Sequence, residues 1–182
     1  MLSSQFLREV HLRELPPEDN YLSGLPVVRH LAAQPLAFTA PVTILVGENG
    51  VGKSTLIEAV AVGMGFNAEG GTRNFSFATM ETHSALYRYV GFVRGPYRPR
   101  DGFFLRAESF YNVASYIEEL DQIPGMAPKI ISSYGGKSLH NQSHGESFLA
   151  LMRSRFGGKG FYIMDEPEAA LSPASQMELL AH

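Results

Sequence analysis

Eight consecutive residues, Gly47-Glu48-Asn49-Gly50-Val51-Gly52-Lys53-Ser54, have the form G-x-x-x-x-G-K-S. Residues of these types at this spacing hold phosphate. Glycines let the backbone curl until successive N–H groups face one anion. A helix that begins behind them adds partial positive charge at the same place. The Lys53 ammonium suits the β- and γ-phosphates of a nucleotide, and the Ser54 hydroxyl suits Mg2+. Both flanks fit this chemistry. Upstream, Val42-Thr43-Ile44-Leu45-Val46 is apolar on both faces and predicts a buried strand. Downstream, the run through Thr55, Leu56 and Val60 predicts a helix from Lys53 to about Met64. The expected nucleotide-binding set is Gly47, Glu48, Asn49, Gly50, Val51, Gly52, Lys53, Ser54 and Thr55.

A phosphate loop needs a carboxylate to help hold Mg2+. Phe161-Tyr162-Ile163-Met164-Asp165-Glu166 is an apolar strand that ends in two acids. Asp165 fits the metal role, and Glu166 fits a base that polarises the attacking water. Acids at the carboxyl end of a parallel strand lie where such sheets bind ligands. Taken alone, the pair is also compatible with an acidic turn after a strand.

The elements around these motifs follow from pattern. Phe6 to Leu12 predicts a strand, broken by Pro16-Pro17-Glu18-Asp19-Asn20, and Pro26 to Leu31 predicts a second short one. Residues 85–94 and 102–107 predict strands on either side of a Pro/Arg turn. Helices are expected over Ser109–Leu120 and Gly145–Phe156, with a loop from Pro128 to Gln142 between them. Gly160 to Met164 predicts a buried strand. Pro173 opens a last helix with Ser172 as its N-cap. Strands alternating with helices argue for an α/β fold.

Composition sets outer limits. The 182-residue chain is 45% hydrophobic and 18% charged, ordinary values for a single domain with a real core. Its net charge of −3 gives no global basic field for nucleic acid. Cysteine is absent, which excludes disulfides and thiolate-held metal. The first residues lack the apolar core of a secretory signal, and no uncharged apolar run is long enough to span a membrane. The expected location is the cytoplasm, without membrane insertion.

Asp165-Glu166-Pro167-Glu168-Ala169-Ala170-Leu171-Ser172 resembles the Walker B and D-loop run of ATP-binding cassette (ABC) ATPases. That family carries a signature loop, L-S-G-G-Q or L-S-G-G-E, between its two nucleotide motifs. Gln142-Ser143-His144-Gly145-Glu146 lies in that order here. Ser143, Gly145 and Glu146 match, whereas Gln142 and His144 depart from the pattern. Over nearly its full length the chain is similar to small stand-alone bacterial ABC-type proteins, often labelled AAA-family ATPases.

The resemblance implies a P-loop NTPase with an ABC-like mixed sheet, flanking helices and a small helical subdomain near residues 108–156, all in one domain over 1–182. It implies MgATP hydrolysis in a nucleotide-sandwich homodimer, with ATP and Mg2+ as cofactors. Lys53, Glu166 and Ser143 would be catalytic, with Ser143 and Gly145 meeting the nucleotide of a second copy. Ser54 and Asp165 would serve the metal. ABC domains also place a glutamine near Mg2+, and Glu108 stands nearest to that position here. Glu108 equally suits the acid-favouring start of a helix, and both alternatives stand. The family's switch histidine has no counterpart, because His182 follows Asp165 by only 17 positions. By that standard the chain is expected to be C-terminally truncated.

Two other uses of the same site are an ATP-gated clamp on DNA or protein with slow turnover, and the cytosolic engine of a transporter. Fewer than 40 residues separate Glu108 from Ser143, which leaves no room for a long coiled-coil arm. Arg94, Arg98, Arg100 and Arg106 interleave with Tyr97, Phe103 and Phe104, a pattern seen in nucleic-acid binders, although Asp101 and Glu108 dilute it. A solvated turn between core aromatics is the simpler expectation. His140 and His144 have the i,i+4 spacing of a helical metal pair, but the surrounding glycines favour a loop. Tyr21 is a candidate for stacking on adenine.

Overall fold

The structure, a computed structural model, describes residues 5–73, 84–108, 110–124, 129–141, 143–157 and 160–181. Two compact units are distinguished. One comprises Met1–Ala68 and Met80–Pro99, the other Glu69–Thr79 and Arg100–His182.

The first unit holds the phosphate loop. Strand β1 (Leu7–Leu12) is the centre of an antiparallel sheet, between β2 (Leu36–Ala37) and β3 (Val90–Arg94). Helix α1 (Pro26–Ala33) occupies the residues expected to form a second strand. The β-branched pair Val27-Val28 suggested extension, but Pro26 takes the first helical position, for which its fixed φ is suited. Val28 and Leu31, three apart, then bury on one face. Helix α2 (Lys53–Gly63) follows the glycine loop as expected and buries Leu56, Ala59 and Val60. The predicted strand over 85–94 divides into a short helix α3 (Leu86–Tyr89) and β3. The buried Glu58 carboxylate of α2 accepts the Ser84 N–H just ahead of α3. At the far end of α2, the Arg94 guanidinium donates to the Gly63 carbonyl at 2.7 Å.

The expected strand over Val42–Val46 is not formed. Val42, Ile44 and Val46 are 75%, 74% and 89% exposed, and the segment enters neither ladder. β1 already pairs on both sides, with β2 and with β3. Apolar β-branched sequence supplies the preference for extension, but a strand exists only where a neighbour takes its backbone N–H and C=O groups.

The second unit is built on two parallel strands, β4 (Asp101–Arg106) and β5 (Gly160–Asp165), in register from Asp101↔Gly160 to Arg106↔Asp165. Phe103 and Leu105, alternate residues on one face of β4, enter a core with Phe110, Ile117, Phe148 and Leu151. Those last four come from helices α4 (Phe110–Gln122) and α5 (His144–Arg155). Gly70 lies against β4: its φ is +109°, and a Cβ there would sit 2.9 Å from the Phe104 carbonyl oxygen. The expected loop before α5 contains two 3-10 turns, Ile130–Tyr134 and Leu139–Asn141. The Asp121 carboxylate caps the first by accepting the Ile130 and Ile131 N–H groups at 2.5 and 2.9 Å. Helix α6 (Pro173–Ala181) closes the chain, with the Ser172 hydroxyl accepting the Ser175 N–H at 3.2 Å. The described residues form a mixed α/β fold with two small sheets, and no described helix is long and apolar enough to cross a membrane.

Candidate functional site

In the first unit, Gly50 and Gly52 have φ of +82° and +96°, the left-handed region that glycine enters without strain. These two positions turn the chain into α2. Gly52 is the N-cap of α2, and no side-chain oxygen caps that helix. The first amides of a helix have no intrahelical acceptor, so they present donors and the positive end of the dipole. The Lys53 ammonium folds back to donate to the Gly47 and Glu48 carbonyls at 2.7 and 2.9 Å. Both acceptors are neutral, so these bonds leave its charge unmatched. Val51 anchors the loop by accepting the Val27 N–H of α1 at 3.1 Å. Ser54 and Thr55, in the first turn of α2, are half-buried. A glycine-capped helix start beside an ammonium with no carboxylate partner among the described residues has the chemistry to cradle polyphosphate.

In the second unit, the parallel ladder ends with Arg106 beside Asp165. The Asp165 side chain is 7% exposed, and its Oδ2 lies 3.6 Å from Arg106 Nε. An Arg106 Nη atom also donates to the exposed Glu108 carboxylate. Ala107 N–H reaches the Asp165 carbonyl at 3.3 Å, which extends the register past the strand ends. Carboxylate oxygens are the kind a hard divalent cation takes, but in this structure the Arg106 guanidinium is set against both of them. Glu166 follows with φ 50° and ψ 47° and is the only non-glycine with positive φ among the described residues. Such a conformation costs about 1–3 kcal/mol and concentrates at functional sites. Pro167 then opens a 3-10 turn, Pro167–Ala170.

Ser143 is the N-cap of α5 and forms a capping box with Glu146. Its hydroxyl accepts the Glu146 N–H at 3.3 Å and donates to Glu146 Oε2 at 2.7 Å, while its own N–H reaches the same oxygen at 3.0 Å. These bonds, the hydroxyl's first and the backbone's second, hold the Glu146 carboxyl below its ordinary value. The ordinary serine-capped helix start is thus what the isolated chain adopts, with the Ser143 donors engaged by a carboxylate rather than open. Gly145 lies in the first turn of α5.

Other candidates separate clearly. Tyr21 is an exposed member of a 3-10 turn, Tyr21–Gly24. His140 Nε2 lies 3.2 Å from the Ser115 hydroxyl, and its ring meets Tyr111 edge-on. Gln142, His182 and the side chain of His144 lie outside the described residues, as does Ser109. Among the described residues there is no group of three or more His, Cys, Asp or Glu placed to hold a metal. Arg98 and Arg100 are exposed on the turn after β3, whereas Arg106 is set against Asp165. The sequence grouped these arginines together. The signal that Arg106 differs is its place at the end of an apolar strand, two residues before Glu108.

A family model described as an AAA domain matches residues 28–122, just over half of the 182-residue chain. The match takes in the phosphate loop, Arg106 and Glu108, and ends before Ser143 and Asp165. No curated protein and no solved structure matches the chain.

Proposed function

From the premise that the chain belongs to the AAA-domain family, we propose that it binds ATP with Mg2+ and hydrolyses it in the ABC manner. The observation that carries this reading is the glycine-capped start of α2 with Lys53 held across the loop carbonyls. Lys53 and the amides of 47–55 bind the triphosphate. Ser54, Asp165 and Glu108 supply oxygen to Mg2+, which when bound neutralises charge on the phosphates. Glu166 orients water and accepts its proton. Ser143 and Gly145, at the start of α5, contact the nucleotide of a second copy, so that ATP joins a homodimer. The capping box supports this last point only as a preformed helix start. Its donors must leave Glu146 to meet a phosphate.

Titration calorimetry with MgATP tests the core of the reading. Wild type should bind, and Lys53→Ala should lose binding because the mobile cation on the β- and γ-phosphates is gone. Undiminished affinity in Lys53→Ala would defeat it.

A further inference from the structure

We propose that Arg106 is a positioning residue that makes divalent-cation binding at Asp165 depend on nucleotide. The proposal rests on Asp165 serving the metal, as in the function proposed above. Three observations support it. The parallel register places Arg106 directly beside Asp165. The guanidinium lies between two carboxylates, with Nε 3.6 Å from buried Asp165 and an Nη on Glu108, whose side chain is 73% exposed. Its stem is fixed as well: only 14% of the Arg106 side chain is exposed, and the guanidinium carbon lies 5.9 Å from the centre of the Phe104 ring.

The consequence is electrostatic. A buried carboxylate is costly unless its charge is matched, and Arg106 matches it in the nucleotide-free chain. A bare divalent cation that approaches Asp165 meets a fixed positive charge already in place, and the repulsion is strong where water is scarce. Phosphate charge arriving with the metal offsets that repulsion. Glu108 already holds the guanidinium on the solvent side, so Arg106 moves off Asp165 while keeping one carboxylate partner. Arginine suits this role because its planar fork engages two carboxylates at once, which an ammonium does less well.

Mn2+ binding to the nucleotide-free full chain, followed by electron paramagnetic resonance, tests the proposal. Arg106→Gln should bind Mn2+ at least ten-fold more tightly than wild type, and adding Asp165→Asn should abolish the gain. Arg106→Lys should fall between. A purely structural arginine would lower the melting temperature of Arg106→Gln without raising Mn2+ affinity. Equal Mn2+ affinity in wild type and Arg106→Gln, or a gain that survives Asp165→Asn, overturns the proposal. If Arg106→Gln does not fold, Arg106→Lys decides, and no gain over wild type counts against it. Calorimetry with MgATP on wild type and Lys53→Ala runs alongside. Normal Lys53-dependent MgATP binding with unchanged Mn2+ affinity defeats only the role of Arg106. Absence of MgATP binding defeats the nucleotide reading itself.

Discussion

Gly52→Ala is the sharpest probe of the phosphate loop, because its cost divides into two separately measurable parts. The first is backbone strain. At φ +96° and ψ 23° an alanine pays about 1–2 kcal/mol for left-handed geometry. The second is steric. An added Cβ would lie 2.5 Å from Val27 Cγ1 and 3.3 Å from Val27 Cβ. Val27 is β-branched and sits in α1, so its χ1 cannot swing freely away. Overpacking of this kind costs about 1–3 kcal/mol. The expected total is about 2–5 kcal/mol, a large share of the roughly 5–15 kcal/mol of a typical domain. Urea denaturation of wild type, Gly52→Ala, Val27→Ala and the double variant measures each part. Val27→Ala should recover about 1–2 kcal/mol of the Gly52→Ala loss, a coupling typical of residues in contact. Nucleotide affinity should stay low in the double variant, because the backbone strain remains and the loop amides are turned from the ligand. Strictly additive losses would refute the contact with Val27. Full recovery of both stability and affinity would refute the role of left-handed backbone at Gly52.

Glu166→Gln should keep MgATP binding and lose turnover, since the amide keeps the shape but not the base. Light scattering should then find it monomeric alone and dimeric with MgATP, and Ser143→Arg should block that dimer; a dimer indifferent to both would reject the trans contact. Glu166→Gly should instead raise stability by about 1 kcal/mol in thermal denaturation, because glycine relieves the strain at φ 50°; a loss of stability would mean that the turn is not strained. The capping box should show a pH dependence. The Glu146 carboxyl is lowered from 4.5 by the Ser143 hydroxyl and N–H, so its contribution is complete above that value and is lost as pH falls through the lower folded value. The protection of the Ser143 and Glu146 amides, measured relative to their intrinsic exchange rates, should fall over that acidic range in wild type but show no such step in Glu146→Ala.

What was legible in the sequence was what forms locally. The glycine loop, the helix from Lys53 and the capped start at Ser172 each depend on residues within a few positions of one another. Local chemistry favours them without reference to distant residues. Strand assignments fared worse where pairing was the deciding factor. Val42–Val46 has every intrinsic mark of a strand and none of the ladder, while Pro26–Leu31 became a helix because proline and a three-residue spacing outweighed two valines. Arg106 is the clearest case within the site. In the sequence its neighbours are Arg100 and Asp101, and it reads as one more charge after a basic turn. In the fold its partner is Asp165, 59 positions away, and only the parallel register of β4 on β5 brings them together. Slipping that register by one residue would turn Arg106 to the opposite face of the sheet and leave the buried carboxylate without its guanidinium. The cation beside Asp165 is therefore a property of strand alignment, and no pattern confined to either segment encodes it.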